Sequence, residues 1–62
     1  MIRHSKYLGK SEEYATELAI SEGFSVRIIE RDGKPIMVGM DVQNDRINFA
    51  IVGGKVADVA GG

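Results

Sequence analysis

The chain has 62 residues, of which 44% are hydrophobic and 27% charged, with a net charge of −1 and no cysteine. Disulfides and cysteine-based metal sites are excluded, and a chain this short buries only roughly 60% of the surface that its unfolded form exposes. The near-neutral charge gives no overall attraction to nucleic acid, and no apolar run approaches the roughly 20 residues that span a bilayer. We expect one small domain whose partners include no nucleic acid, membrane, metal or cofactor.

The N-terminal segment is polar and basic. It predicts a flexible arm over residues 1–7, ahead of a single domain over residues 8–62. His4 has no accompanying set of metal ligands and is expected to be solvated. The absence of a signal-peptide pattern favours a cytoplasmic location, although removal of a leader would leave a secreted origin open. A monomer is expected, with a dimer left open.

A helix is predicted over residues 12–22. Ser11 is a good N-cap, because its hydroxyl can accept a bond from a first-turn N–H group. Glu12 and Glu13 then lie at the positive end of the helix dipole, and Gly23 supplies a residue that often closes a helix. The apolar stripe at helical spacing is Tyr14, Ala15, Leu18 and Ala19.

Three stretches alternate with strand periodicity, over residues 24–31, 47–52 and 56–59. Gly53 and Gly54 separate the last two and predict a two-residue hairpin turn, so these strands should pair antiparallel. We predict an α+β domain in which one helix packs on a small mixed three-stranded sheet.

The connection between the first two strands is the informative segment. Residues 32–45 carry no helical stripe, and a loop of this length is unusual in so small a domain unless it is functional or disordered. It is long enough to join two parallel strands. However, Asp32 and Gly33 also predict a hairpin turn, after which residues 36–38 would form another antiparallel strand. Pro35 and Gly39 weigh against that strand, but the pattern alone leaves both interpretations open.

The chain resembles the potato inhibitor I family of serine protease inhibitors in four segments. These are residues 8–11, the helix with its acidic start, residues 26–29 and, above all, residues 40–48. The last of these segments is most similar to the family's small bacterial members. It contains Met40 and Asp41, followed by Asp45, Arg46, a hydrophobic residue and Asn48. The resemblance covers about residues 7–62. It implies that two parallel strands are joined by an extended, exposed protease-binding loop over about residues 34–44.

The resemblance also assigns roles to residues of the loop. Met40 would enter the specificity pocket of a chymotrypsin-like or subtilisin-like protease, and Asp41 would follow the scissile bond. Arg46 and Asn48 would support the loop, with Asp41 accepting charge-assisted hydrogen bonds from Arg46 and the Gly62 carboxylate close to the same arginine. The remaining loop residues are Val38, Gly39, Val42 and Gln43.

Several residues depart from the family pattern. Gly39 stands where the family usually has Thr, Val42 replaces an aromatic residue, and Gln43 replaces an arginine of the plant members. These changes predict a softer loop and a weaker inhibitor, or a non-inhibitory binding or structural module that self-associates through a sheet edge. Without the resemblance, Met40 would be read as core filler and an Asp41–Arg46 pair as a surface ion pair of little energetic value. The serines have no histidine–acid partnership, so we do not expect an enzyme.

Overall fold

The computed structural model describes residues 5–37, 39 and 44–61. Its regular elements are one helix and four strands: α1 (Glu12–Ser21), β1 (Ser25–Arg31), β2 (Lys34–Pro35), β3 (Arg46–Val52) and β4 (Lys55–Gly61). The strands form one mixed sheet in the order β2-β1-β3-β4. The predicted α+β class is therefore confirmed, whereas the predicted number of three strands is wrong by one.

The two central strands are parallel, as predicted. Val26 lies opposite Ile47, Arg27 opposite Asn48 and Ile28 opposite Phe49, with an irregularity of register just beyond Ile28. Strand β4 follows β3 through the Gly53–Gly54 turn and pairs with it antiparallel. A parallel pair needs a crossover connection. The chain segment between β1 and β3, which includes the short strand β2, is that connection.

The additional strand is β2, which forms because the Asp32–Gly33 turn is a true hairpin turn. Both residues have positive φ, 52° and 79°, as a two-residue hairpin of the favoured mirror-image type requires. Strand β2 pairs antiparallel with the end of β1. The strand that the hairpin interpretation placed at residues 36–38 is not seen at Ile36 and Met37, and Val38 lies outside the described residues. Pro35 lies on the outermost strand, where a residue without an N–H group is tolerated.

Helix α1 begins where the sequence predicts. The Ser11 hydroxyl accepts a hydrogen bond from the Tyr14 N–H group at 3.1 Å, and the helix ends one residue before the predicted boundary. Ala15 and Ala19 are fully buried against the sheet, and their small side chains allow a close approach. Tyr14, which we expected on the buried stripe, is exposed.

The core includes a residue of the predicted arm. Tyr7 is fully buried, and its ring packs against Phe49 with the centroids 5.4 Å apart. Residues Ser5–Tyr7 form a short 3-10 helix, and the Tyr7 hydroxyl donates to Glu22 at 2.6 Å. Residues 5–7, which the sequence assigned to a flexible arm over residues 1–7, therefore pack with the domain through the buried ring of Tyr7 and its bond to Glu22. Residues 1–4 lie outside the described residues.

Candidate functional site

Polar side chains are buried on the sheet face opposite the helix. Strand β3 directs Ile47, Phe49 and Ile51 into the core, so Arg46 and Asn48 point to the other face. A sheet face turned to solvent would leave such residues exposed, yet Arg46 is only 8% and Asn48 only 6% exposed. Buried polar groups are costly unless they form hydrogen bonds, so this face has a specific polar arrangement.

The centre of that arrangement is a pair formed by Arg27 and Asn48. These residues lie opposite each other in the parallel register of β1 and β3. Arg27 Nε donates to Asn48 Oδ1 at 2.9 Å, and Arg27 Nη1 donates to the carbonyl of Gly39 at 3.4 Å. The second bond is long for an N–H···O contact and is correspondingly weak. The guanidinium therefore links the centre of the sheet to the connection.

Asn48 extends this linkage to the last strand. Its Nδ2 donates to the carbonyl of Gly61 at 3.4 Å, while its Oδ1 accepts from Arg27. An amide side chain has both a donor and an acceptor end, so one residue can connect two partners of opposite polarity. A continuous series of hydrogen bonds thus runs from β4 through β3 and β1 to Gly39.

The connection is attached to the scaffold at three described points. The Ile36 N–H group donates to the carbonyl of Ile29 at 2.9 Å, just after β2. Gly39 is held by Arg27, and the carbonyl of Asp45 accepts from the Ser25 N–H group at 2.9 Å. The side chain of Met37, between the first two attachments, is 98% exposed. The described residues of the connection are therefore exposed, and the connection is attached at both ends and near its middle.

The sequence-predicted site divides into two groups. Gly39, Arg46 and Asn48 are described, and the structure places the two predicted supporting residues side by side on the buried polar face of β3. The other predicted loop residues lie outside the described residues; they are Val38, Met40, Asp41, Val42 and Gln43. The Gly62 carboxylate and the expected Asp41–Arg46 and Gly62–Arg46 contacts lie outside them as well.

Sequence reasoning missed Arg27. The available signal was its position between Val26 and Ile28, two residues that alternate with it and pack against the core. Alternation places Arg27 on the face away from the helix. Identifying its partner required the parallel register, which brings Asn48 opposite although the two are 21 residues apart in the chain.

The groups with shifted pKa values serve the helix ends rather than this face. Arg31 holds a bidentate contact to Glu12, which lowers the pKa of that carboxylate. Lys6 and then Tyr7 lower the pKa of Glu22, and burial followed by the Glu22 contact raises the pKa of Tyr7 to about 12. The shifts of Glu12 and Glu22 come from contacts at the two ends of the helix, and that of Tyr7 comes first from burial in the core.

The β4 edge of the sheet offers limited room for another strand. Both backbone groups of Val56 are used: its N–H group donates to Lys10 and its carbonyl accepts from Gly9. The Val59 N–H group donates to the Asp58 carboxylate at 2.9 Å. Part of the β4 edge is thus occupied by the chain's own groups, a device that limits edge-to-edge pairing.

Within residues 5–37, 39 and 44–61, no group of three metal-ligating side chains and no pocket is found. No helix in the same ranges is long and apolar enough to cross a membrane. Comparison with family models, curated proteins and solved structures gives no match for this chain.

Proposed function

We propose that this protein is a substrate-like inhibitor of serine proteases, related to the potato inhibitor I family, and that the connection between β1 and β3 is its reactive loop. One observation carries the proposal: Arg27, fixed by Asn48 at the centre of the sheet, donates to the carbonyl of Gly39. Gly39 directly precedes Met40, the residue that the resemblance assigns to the protease's specificity pocket.

Attachment of the loop matters because binding a flexible segment is costly. An inhibitor that presents its loop already in the bound shape avoids most of the ordering cost. Protease–inhibitor interfaces bury about 1,600 Å² in total and change little in backbone shape on docking. This chain has no cysteine, so its loop must be held by polar bonds such as those of Ile36, Gly39 and Asp45.

The proposed roles follow the chemistry of each side chain. Met40 is unbranched and apolar and fits a hydrophobic specificity pocket. By the resemblance, Asp41 would follow the scissile bond and would be the acceptor for charge-assisted hydrogen bonds from Arg46. Arg27, Arg46 and Asn48 hold the loop from the sheet. When the protease cuts the bond, the new ends remain in place and rejoin, so the enzyme stays occupied.

The test is inhibition of subtilisin and of chymotrypsin by the purified protein, followed as residual activity. Inhibition of at least one enzyme is expected, and Met40→Lys should redirect it toward trypsin. The matched control is Ile20→Lys, which adds the same charge at an exposed position of α1 and should leave the preference unchanged. Rapid complete digestion without inhibition of any of these enzymes would remove the proposal. A Met40→Lys variant with unchanged preference would show that Met40 is misassigned.

A further inference from the structure

Strand β4 is the outermost strand on one side of the sheet, and the N-terminal segment covers only its first half. There, the Val56 N–H group donates to the Lys10 carbonyl and the Val56 carbonyl accepts from the Gly9 N–H group, both at 2.9 Å. The second half, residues 57–61, pairs with β3 on its inner side, and no strand of the described chain lies along its outer side. Such an edge is a template for pairing with another strand.

Val59 lies at the centre of this second half and turns its backbone outward. It is opposite Phe49 in the antiparallel register. The carbonyls of Asp45 and Ile51 accept hydrogen bonds from the β1 side, and alternation along the strand turns the backbone of Phe49 the same way. The backbone of Val59 therefore points away from β3, and its N–H group donates to Asp58 Oδ1 at 2.9 Å. A side chain thus occupies the donor that a further strand would use.

We propose that the second half of β4 is a surface for association with another copy of this chain, and that Asp58 keeps it closed. Two β4 strands placed antiparallel about Val59 would exchange both N–H···O bonds between the two Val59 residues. Each copy would first have to release its Val59 N–H group from Asp58. The remaining residues of this half are small and uncharged, so they oppose pairing little; they are Ala57, Ala60 and Gly61.

Several properties of the chain make a second copy the partner and a dimer the product. A net charge of −1 gives little repulsion between copies. Antiparallel pairing of identical strands is a two-fold interface that closes on itself. The opposite edge strand, β2, has only two residues, one of which is Pro35 and lacks an N–H group, so the sheet does not extend further from that side. This inference goes beyond the proposed function and does not depend on it.

The test compares the association of four proteins by analytical ultracentrifugation at concentrations up to about 1 mM. The wild-type protein should be a monomer. Asp58→Ala should dimerise, with a dissociation constant about 10- to 100-fold lower than that of the wild type, because two Asp58 contacts no longer have to be broken. Asp58→Asn retains an oxygen acceptor and should stay monomeric. Glu17→Ala removes one negative charge at an exposed position of α1 and should also stay monomeric.

Two measurements locate the contact in the Asp58→Ala dimer. Adding Val59→Pro removes the central N–H group on the outer side of an edge strand, a place where proline is tolerated, and should restore the monomer. Amide hydrogen exchange of Asp58→Ala should be slower at Val59 in concentrated than in dilute solution. A monomeric Asp58→Ala protein, or an Asp58→Asn protein that dimerises equally well, would overturn the role of Asp58. Species larger than a dimer, or a dimer without slower exchange at Val59, would overturn the pairing.

Discussion

Replacement of Arg27 by methionine tests the hydrogen bonds that join the sheet to the connection. Methionine keeps an apolar stem of similar length but removes the guanidinium, and with it the donors of the 2.9 Å bond to Asn48 and the 3.4 Å bond to Gly39. Asn48 is only 6% exposed, so its Oδ1 would lose its donor in a place that water reaches poorly. An unsatisfied buried acceptor costs about 1–3 kcal/mol.

The two bonds predict effects of different size in two assays. Loss of the hydrogen bond to Asn48 should lower the melting temperature by about 4–8 °C for each kcal/mol of lost folding free energy. Circular dichroism measures this change. The bond to Gly39 is long and partly exposed, so its loss should cost only about 0.5–1 kcal/mol of loop order and weaken inhibition about 2- to 5-fold. In a double-mutant cycle with Asn48→Ala, the destabilisations of the two single variants should add up to more than that of the double variant. The reason is that each single substitution already removes the same hydrogen bond.

Arg31→Met is the matched control, since Arg31 lies on the same strand but pairs with Glu12 at the start of the helix. This solvent-exposed pair contributes little to stability, and its loss should leave inhibition unchanged. If Arg27→Met were no more destabilising than Arg31→Met and inhibited as well as the wild type, the proposed support of the loop would be refuted.

Two further predictions concern the scaffold. Asp32 has a φ of 52°, and its carboxylate accepts a hydrogen bond from the Gly53 N–H group at 2.8 Å. Asp32→Ala should therefore lower the free energy of unfolding, measured in urea, by about 1–2 kcal/mol, whereas Asp32→Asn should lower it little. Equal stability of the two variants would contradict this. The pKa of Tyr7 is about 12 in the folded protein and near 10 when unfolded. The unfolded chain therefore releases the proton first, and stability should fall as pH rises from 10 to 12. Tyr7→Phe should show a shallower decline by denaturant unfolding, and an identical decline would contradict the buried hydroxyl contact.

Local signals sufficed for the elements that depend on neighbouring residues. Ser11 and the acidic pair after it mark the start of the helix, and the Gly53–Gly54 turn pairs β3 with β4. Strand β2 was harder to predict, because Pro35 argues against a strand unless the strand is known to lie at the edge.

The contacts that sequence reasoning missed are those between distant residues. Tyr7 belongs to a polar N-terminal segment, and its burial depends on meeting Phe49 and Glu22 after the chain has folded. Arg27 likewise gains its role only from the register that brings it opposite Asn48. Periodicity assigns a residue to a face of a strand, but it does not identify the partner across that face.

The proposed mechanism is tested most directly by the equilibrium between intact and cleaved inhibitor. Intact protein, and protein previously cut at the Met40–Asp41 bond, are each incubated with a catalytic amount of the inhibited protease and followed by mass spectrometry. A substrate-like inhibitor whose cut ends stay in place should reach the same ratio of intact to cleaved chains from both directions. Cleaved protein that never regains the intact bond, together with steady digestion of the intact protein, would contradict the account.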